Sequence, residues 1–551
     1  VNGGVVPTPP GWASHARGAW FDAVVSSSDP GLVPEQRRPW VLAATATAAF
    51  GATVMATAVN VVLPTLTVEL SAPFATIQWV VLAYLLATIA LVPIIGRLGD
   101  LWGKSRLFLA GHAAFGLGSL LCALAPDAAT LIAFRTVQGA GAAALTALGL
   151  AIVTDVYPAE RRGRALGLNA AVISAGVVLG PSLGGLVADL TSWRWIFAGG
   201  VLTSALGAAL ALRVLPSYPR VRGERFDLLG AATLFAGLLA LSLALTLGQA
   251  RGPDDPLIRV LGGLAAALAV AFFAVERRAA SPVVDLRLFR NPALTVGLVS
   301  GLITFVAISG VIFLVPFYLG GALGYTPSRI GLLMAVTPML LVLMAPIAGT
   351  LTDRFGARPV TVVGMALLML GYLAIGTLDE HTSPLGYVLR FLPIGLGMGT
   401  FQTPNNTAIM GAARRGASGV AGGLLTLTRF FGQVVGTAVL GSLWATRAVA
   451  QAGAPRGSDA TGLPAAAQVA GLHDVIDVIR VLIALALALV IADLARGRRA
   501  DERSRDDGRP AAPLRGGDGS GSVGATGATQ PVGASRPAGA SRPTSNRGDH
   551  R

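Results

Sequence analysis

The stretch Gly96-Arg-Leu-Gly-Asp-Leu-Trp-Gly-Lys-Ser-Arg106 is a short, charged, glycine-rich turn between two long apolar segments. It has an echo in Gly349-Thr-Leu-Thr-Asp-Arg-Phe-Gly-Ala-Arg358, which places Asp100 and Asp353 253 residues apart. Arg161-Arg162-Gly163 and Arg414-Arg415-Gly416 repeat that offset. One such coincidence follows from turn chemistry, since Gly and Asp suit tight turns. Two in a single register imply an internal repeat of about half the protein. Membrane transporters are often built from repeats of this kind, with the substrate site between the halves.

Composition points the same way. Hydrophobic residues make up 53% of the chain and charged residues 13%, and the mean hydropathy is +0.66. Soluble domains carry roughly 25% charged residues, so this is an integral membrane protein whose first partner is the lipid bilayer. A net charge of +14 would suggest nucleic acid for a soluble chain. Here the basic residues sit in short loops and tails, and no nucleic-acid partner is expected. Lys104 is the sole lysine beside many arginines, which reads as a genomic composition bias. The single cysteine, Cys122, lies in an apolar segment and excludes an intrachain disulfide or a thiolate metal site. The five histidines have no ligand-like spacing, and no metal is expected. Residues 1–38 are Gly-, Pro- and Ser-rich without an apolar run. They are expected to form a disordered cytoplasmic tail rather than a cleaved signal, leaving the first span to insert unaided. Residues 499–551, with Gly-Ala-Ser-Arg-Pro at 533–537 and again at 539–543, are expected to form a second such tail.

A bilayer core of ~30 Å needs about 20 apolar helical residues. Fourteen segments qualify as candidates: 40–66, 76–96, 106–125, 129–154, 163–188, 194–214, 227–248, 258–275, 293–319, 330–350, 359–378, 385–410, 418–446 and 473–495. The fold class is therefore an all-α integral membrane protein with 14 transmembrane helices. Lys and Arg concentrate in alternate loops, as at Arg97, Lys104, Arg106, Arg161, Arg162 and Arg164. By the positive-inside rule those loops and both termini are cytoplasmic. Each motif turn follows the second helix of its own six. The expected organisation is a six-helix half at 39–215, a linker with two extra spans at 216–292, and a second six-helix half at 293–498. An even number of inserted spans makes the halves parallel repeats about the membrane normal.

Three motifs carry a resemblance. Gly96–Arg106 is similar to the cytoplasmic signature of the major facilitator superfamily. Leu131-Ile-Ala-Phe-Arg-Thr-Val-Gln-Gly-Ala-Gly resembles the fourth-helix motif of its proton-coupled members. Gly176-Val-Val-Leu-Gly-Pro-Ser-Leu-Gly-Gly185 resembles the fifth-helix antiporter motif associated with exporters. Ser192-Trp-Arg-Trp-Ile-Phe197, Asp285-Leu-Arg-Leu-Phe-Arg-Asn291 and the helix count narrow it to the 14-helix drug:proton antiporter branch, over residues 40–495. The resemblance assigns Gly96, Arg97, Gly99, Asp100, Gly103 and Arg106 to a conformational-switch loop, with Asp353 as a weaker copy because Thr352 replaces a small residue. It gives Arg135 a part in proton coupling and makes the helix of Gly176, Gly180, Pro181, Gly184 and Gly185 a gate.

The residues can also be read physically. Asp100 can cap backbone N–H groups at a helix start. Arg135 lies within a span, where a charge costs at least ~2.5–3.5 kcal/mol and faces a cavity or a partner. Gln138 shares its face, and the structural alternative is a tie to neighbouring carbonyls. The Gly176–Gly185 glycines admit a close helix, and Pro181 frees a carbonyl and bends its own helix. The first helix carries Asn60-Val-Val-Leu-Pro64, but Met55 stands where the branch usually has aspartate. No acidic residue lies in the middle of a span. The nearest carboxyls, Asp155, Asp474 and Asp477, are the remaining candidates for proton coupling. A site without a mid-membrane carboxylate cannot pair with a desolvated dication, so neutral, zwitterionic or anionic substrates are expected. Asn60, Asn169, Gln402, Asn405, Asn406, Arg429 and Gln433 are the candidate cavity polar groups, each of which could equally tie two helices. His112 is expected to pack.

These readings describe a secondary active, multi-pass exporter of small, largely apolar compounds in a plasma (inner) membrane, of the multidrug and antibiotic efflux kind. It is expected to be monomeric and driven by the proton gradient through alternating access, with no cofactor. No Gly-x-x-x-x-Gly-Lys-Ser/Thr loop is present to bind a nucleotide, and no cluster of catalytic residues suggests an enzyme. The rivals are a proton-independent facilitator or importer on the same scaffold, and a sensor that has lost transport.

Overall fold

A chain that crosses hydrocarbon must satisfy its own backbone N–H and C=O groups, and long apolar helices do so. A computed structural model describes residues 33–216, 228–252, 254–278, 291–412 and 418–506, and among these the regular structure is all helical. A first set comprises α1 (Arg38–Val61), α2 (Leu63–Glu69), α3 (Phe74–Trp102), α4 (Lys104–Ala123), α5 (Ala128–Val156), α6 (Ala159–Leu190) and α7 (Arg194–Val214). Two further helices follow, α8 (Leu228–Arg251) and α9 (Pro256–Arg278). The second set comprises α10 (Pro292–Phe317), α11 (Pro327–Met334), α12 (Val336–Phe355), α13 (Ala357–Ile375), α14 (Pro384–Ala412), α15 (Ser418–Gln451) and α16 (Ala465–Asp506).

Thirteen helical stretches among the described residues are long and apolar enough to cross a membrane. The expected span 385–410 lies in α14, which has 29 residues but is not one of the thirteen. It carries Arg390, Gln402, Asn405 and Asn406. Two other spans are interrupted where proline removes a backbone donor. Segment 40–66 breaks at Val62, just before Pro64, and segment 330–350 breaks at Ala335, just before Pro338. The last helix continues well past the expected end at 495, to Asp506. Arg414-Arg415-Gly416, Asp285–Arg290, the segments 217–227 and 279–290, and most of both tails (1–32 and 507–551) lie outside the described residues.

The two sets pack in the same order. In the first, α6 lies on α1 and α5 lies on both α3 and α4; in the second, α15 lies on α10 and α14 on both α12 and α13. The 253-residue offset recurs in space. Gly111 and Gly118 of α4 face α5 at Ala144 and Gln138, while Gly364 and Gly371 of α13 face α14 at Phe401 and Ile394. Gly103 and Gly356 make the two motif turns with φ of 98° and 84°, a left-handed backbone that favours glycine. Pro93 and Pro346 sit inside the preceding helices.

The sets touch at the end remote from the Gly96–Arg106 turn. Phe74 of α3 packs its ring 5.6 Å from Phe313, 5.0 Å from Phe317 and 4.8 Å from Trp444. Its N–H is an orphan at the start of α3, whose residue before it, Pro73, offers no side-chain cap. Asp459 Oδ1 of the second set accepts that N–H at 3.1 Å. Gln78 donates to the Thr437 carbonyl at 2.6 Å, and Ser328 donates to Asp189. At the turn end, Gly96, Gly163, Gly349 and Gly411 have open space where a Cβ would stand.

Gly141 has no room for a Cβ against the Phe115 backbone N. Gly141→Val is expected to separate α4 from α5 and destabilise the fold by ~2 kcal/mol or more. Gly163→Ala, at an open position inside α6, is expected to leave stability unchanged or raise it by up to ~1 kcal/mol. Thermal melting in detergent distinguishes the two.

Candidate functional site

The turn between α3 and α4 gathers its charges into one knot. Asp100 Oδ1 lies 3.3 Å from Lys104 Nζ, and Asp100 Oδ2 lies 3.8 Å from Arg97. Lys104 Nζ also donates to Asp155 Oδ2 at 2.7 Å, at the far end of α5. Gly99 packs closely on Leu148, while Gly96 faces open space. Arg106 is exposed and lines, with Ser105, Leu109 and Leu212, a cavity of about 180 Å³ between α4 and α7. Sequence reasoning passed over Lys104 as a bridging residue. Its signal was present, because it is the sole lysine and it falls inside the motif. The second turn has Ala357 at the matching place, and Asp353 is exposed without an ion pair to a described residue. There Arg358 instead reaches Asp493 of α16 at 2.7 Å.

Arg135 is 1% exposed. Its Nε donates to the Val80 carbonyl of α3 at 2.9 Å, and a second nitrogen donates to Gln138 Oε1 at 2.5 Å. Its guanidinium lies 4.2 Å from the centre of the Tyr84 ring. Gln138 Nε2 donates to Ser119 Oγ at 2.7 Å, and Ser119 donates to the Phe115 carbonyl at 2.7 Å. The charge is thus compensated by carbonyl dipoles and a π face rather than by a carboxylate. Gln138, expected on the same face as Arg135, bonds it, and the carbonyl tie that was the structural alternative to proton coupling is present. Guanidinium does not give up its proton in proteins, so Arg135 can bias a neighbour but cannot carry the proton.

The carboxyls named for coupling are not brought to it. Asp155 stands twenty residues along α5 from Arg135, ~30 Å at helical rise, and belongs to the Lys104 knot. Asp474 accepts from Gln451 at 3.3 Å, and Asp477 pairs with Arg480 at 2.5 Å, both on α16. Met55, at the place of the missing aspartate, is 2% exposed and packs on Gly200 of α7.

The glycines of α6 divide between two neighbours. Gly176, Gly180 and Gly184 lie against Thr53, Thr57 and Ala58 of α1, within the first set. Gly185 meets the Pro327 carbonyl across the set boundary, and Gly331 of α11 meets the Pro181 carbonyl. A Cβ would fit at neither glycine. The helix runs unbroken through Pro181 from Ala159 to Leu190.

The cavity candidates separate in the same way. Asn405 is buried and donates to the Gly297 carbonyl at 3.1 Å, tying α14 to α10. Asn60 donates to Ala56 of its own helix at 3.3 Å. Asn169 is buried, and its Oδ1 has no hydrogen-bond partner. Gln402, Asn406, Arg429 and Gln433 are half-buried. The Gln433 carbonyl accepts from Ser309 at 2.8 Å. Arg429 lies 5.2 Å from the centre of the Phe430 ring and has no ion pair with a described residue. His112 is buried and packed edge-on to Phe108, with Nδ1 3.3 Å from Ser204 Oγ.

A bundle of long apolar helices with two like-packed sets meeting at one end is the architecture of a membrane transporter. Residues 45–437 match the Major Facilitator Superfamily, and the chain belongs to that family. It is 34% identical over 388 residues to the multidrug resistance protein Stp of Mycobacterium tuberculosis (strain CDC 1551 / Oshkosh), covering 70% of this chain and 72% of Stp. It is 32% identical over 400 residues to the riboflavin transporter RibZ of Clostridioides difficile (strain 630), covering 72% of this chain and 86% of RibZ. Its fold is similar to that of a bacterial homolog of the human lysosomal transporter Spinster, solved inward-facing and unoccupied. That match has a TM-score of 0.57 at 16% identity, over 83% of this chain and 96% of the other.

The bridge at the motif turn can be tested by a double-mutant cycle. Lys104→Gln and Asp155→Asn are each expected to lower stability by ~1 kcal/mol, since the pair is partly shielded from water. The double variant is expected to lose little more than either single one. Denaturation of the three variants beside wild type measures the coupling.

Proposed function

We propose that the chain is a proton-coupled exporter of small, largely apolar compounds that works by alternating access, in a plasma (inner) membrane with both termini cytoplasmic. The organisation proposed is 14 spans: two six-helix repeats at 39–215 and 293–498, two helices inserted at 216–292, and cytoplasmic tails at 1–38 and 499–551. The recurring 253-residue offset of paired glycines and of the two motif turns supports it. With the Gly96–Arg106 turn cytoplasmic, the closed end faces outward and this is an inward-facing state. The monomer is the proposed working unit, and the proton gradient is its energy source.

The observation that carries the export reading is the two-sided contact of α6. Its glycines hold it to α1 while Gly185 and Pro181 meet α11 across the set boundary. A helix fixed to one set and in backbone contact with the other is placed to seal and release an access path. The similarity to Stp, named as a multidrug resistance protein, favours drugs as the cargo. The substrate class follows from charge. Arg135 and Arg429 lie within helices without a carboxylate partner among the described residues, while Asp155 stands at the end of α5 and Asp477 is paired with Arg480, so neutral, zwitterionic or anionic compounds suit the path better than dications.

A second reading, a proton-independent carrier of one metabolite, is favoured by Met55 and by the similarity to RibZ, named as a riboflavin transporter.

Proteoliposomes with an imposed proton gradient separate the two. Gradient-driven movement of a neutral drug, abolished in Arg135→Ala with the protein still folded, is the expected result, together with weak or no saturable efflux of a lipophilic dication. Gradient-independent exchange without proton flux would establish the facilitator instead, and strong dication efflux would overturn the substrate class.

A further inference from the structure

The first inserted helix, α8, touches both sets at once, lying along α3 of the first and α15 of the second. The contact is polar on an otherwise apolar helix. Gln249 Nε2 donates to Gln78 Oε1 on α3 at 3.0 Å and to Ser442 Oγ on α15 at 2.8 Å. Gln78 Nε2 in turn donates to the Thr437 and Ala438 carbonyls of α15 at 2.6 and 3.3 Å. One turn before Gln249, Thr246 Oγ1 accepts from Trp79 Nε1 at 3.1 Å. Gln78, Thr246 and Ser442 are buried. Gly441 has no room for a side chain beneath the Gln78 amide.

A primary amide offers two donors and one acceptor oxygen. Gln249 directs one donor to each set, and Gln78 completes the circuit between them. To part α3 from α15 at this end, the Gln78–Thr437 bond must break, and Gln249 must release one of its two acceptors. Gln78, Thr437 and Ser442 are buried and Gln249 is half-buried, and breaking a satisfied buried network costs more than losing one exposed bond. The circuit therefore favours the form closed at the end remote from the motif turn. α9 packs mainly on α8.

We infer that α8 is a latch on the closed end, with Gln249 as the positioning residue that sets the proportion of the two access states. Gln249 acts through α3 and α15 and needs no contact with substrate. The inference rests on the alternating-access reading, but its test requires neither substrate nor gradient.

The full chain carrying Cys122→Ala receives cysteines at Val68 and His381, exposed residues of opposite sets at the closed end. A second preparation receives them at Trp102 and Phe355, exposed at the two motif turns. Spin labels at each pair report the distance by pulsed dipolar spectroscopy in lipid nanodiscs. Gln249→Ala is expected to raise the population with a long 68–381 distance and a short 102–355 distance by about five- to tenfold, the effect of losing one or two buried hydrogen bonds. Gln78→Ala is expected to act in the same direction, and the double variant to add little. A folded Gln249→Ala protein with wild-type distance distributions, or one that only melts earlier, overturns the latch. Should Gln249→Ala fail to fold, Ser442→Ala, which removes one acceptor, decides by the same readout. Distances that move in a protein that transports no drug would leave the latch standing and reject the export reading.

Discussion

Hydrocarbon offers a charge no partner, and that constraint orders this protein. A buried ion must be compensated within the fold or kept near a helix end. Asp100, Asp155 and Lys104 therefore form one knot where α3, α4 and α5 meet. Arg358 and Asp493 form a second on the other set. Arg135 is an exception, and its surroundings fit it: a carbonyl, an amide oxygen and an aromatic face, each offering partial negative charge without a full one. A carboxylate beside Arg135 would make a neutral pair. Its absence leaves the first set with a permanent internal positive charge, and the reading of cargo as neutral or anionic rests on that charge rather than on any shape of pocket.

The two sets place glycines alike and differ in their charged side chains. Their glycines at 111 and 364, at 118 and 371, and at 103 and 356 hold equivalent positions. The side chains on that frame differ. Lys104 joins Asp100 to Asp155 in the first set, while Ala357 breaks the same connection in the second. Equivalent backbones thus carry unequal charge networks, Lys104 to Asp155 of α5 in the first set and Arg358 to Asp493 of α16 in the second. The first network ties α5, the helix of Arg135, to α3, the helix that meets the other set.

Much of this was legible in the sequence because it depends on backbone and hydropathy. The register of Asp100 and Asp353, the alternating basic loops and the long apolar runs are one-dimensional signals of helices and their order. The proximity of Arg135 to Gln138 is a helical spacing and was equally readable. What could not be read was pairing between segments distant in the chain. Nothing local says that Lys104 reaches Asp155, that Asn405 is spent on the Gly297 carbonyl, or that Asp459 caps a helix 385 residues away. The α6 glycines were legible as a close-packing stripe, but not as two stripes facing different partners. Their division depends on a helical angle relative to neighbours that the sequence does not carry.

The contact between the sets is built from two kinds of interaction with different consequences. Rings at Phe74, Phe313, Phe317 and Trp444 tolerate changes of angle but lose about a quarter to a half of their attraction once a gap of ~0.5–1 Å opens. Hydrogen bonds such as Gln78 to Thr437, and glycine-to-carbonyl contacts such as Gly185 to Pro327, lose their energy within a short displacement. Together they give a closed state that is held sharply near its minimum and weakly beyond it. That profile suits a transporter, which must hold one access path shut without storing so much energy in the seal that it cannot be released. The polar part of the seal is the part that sequence variation can tune without remodelling the core. In this chain it is concentrated where the inserted helix meets both sets.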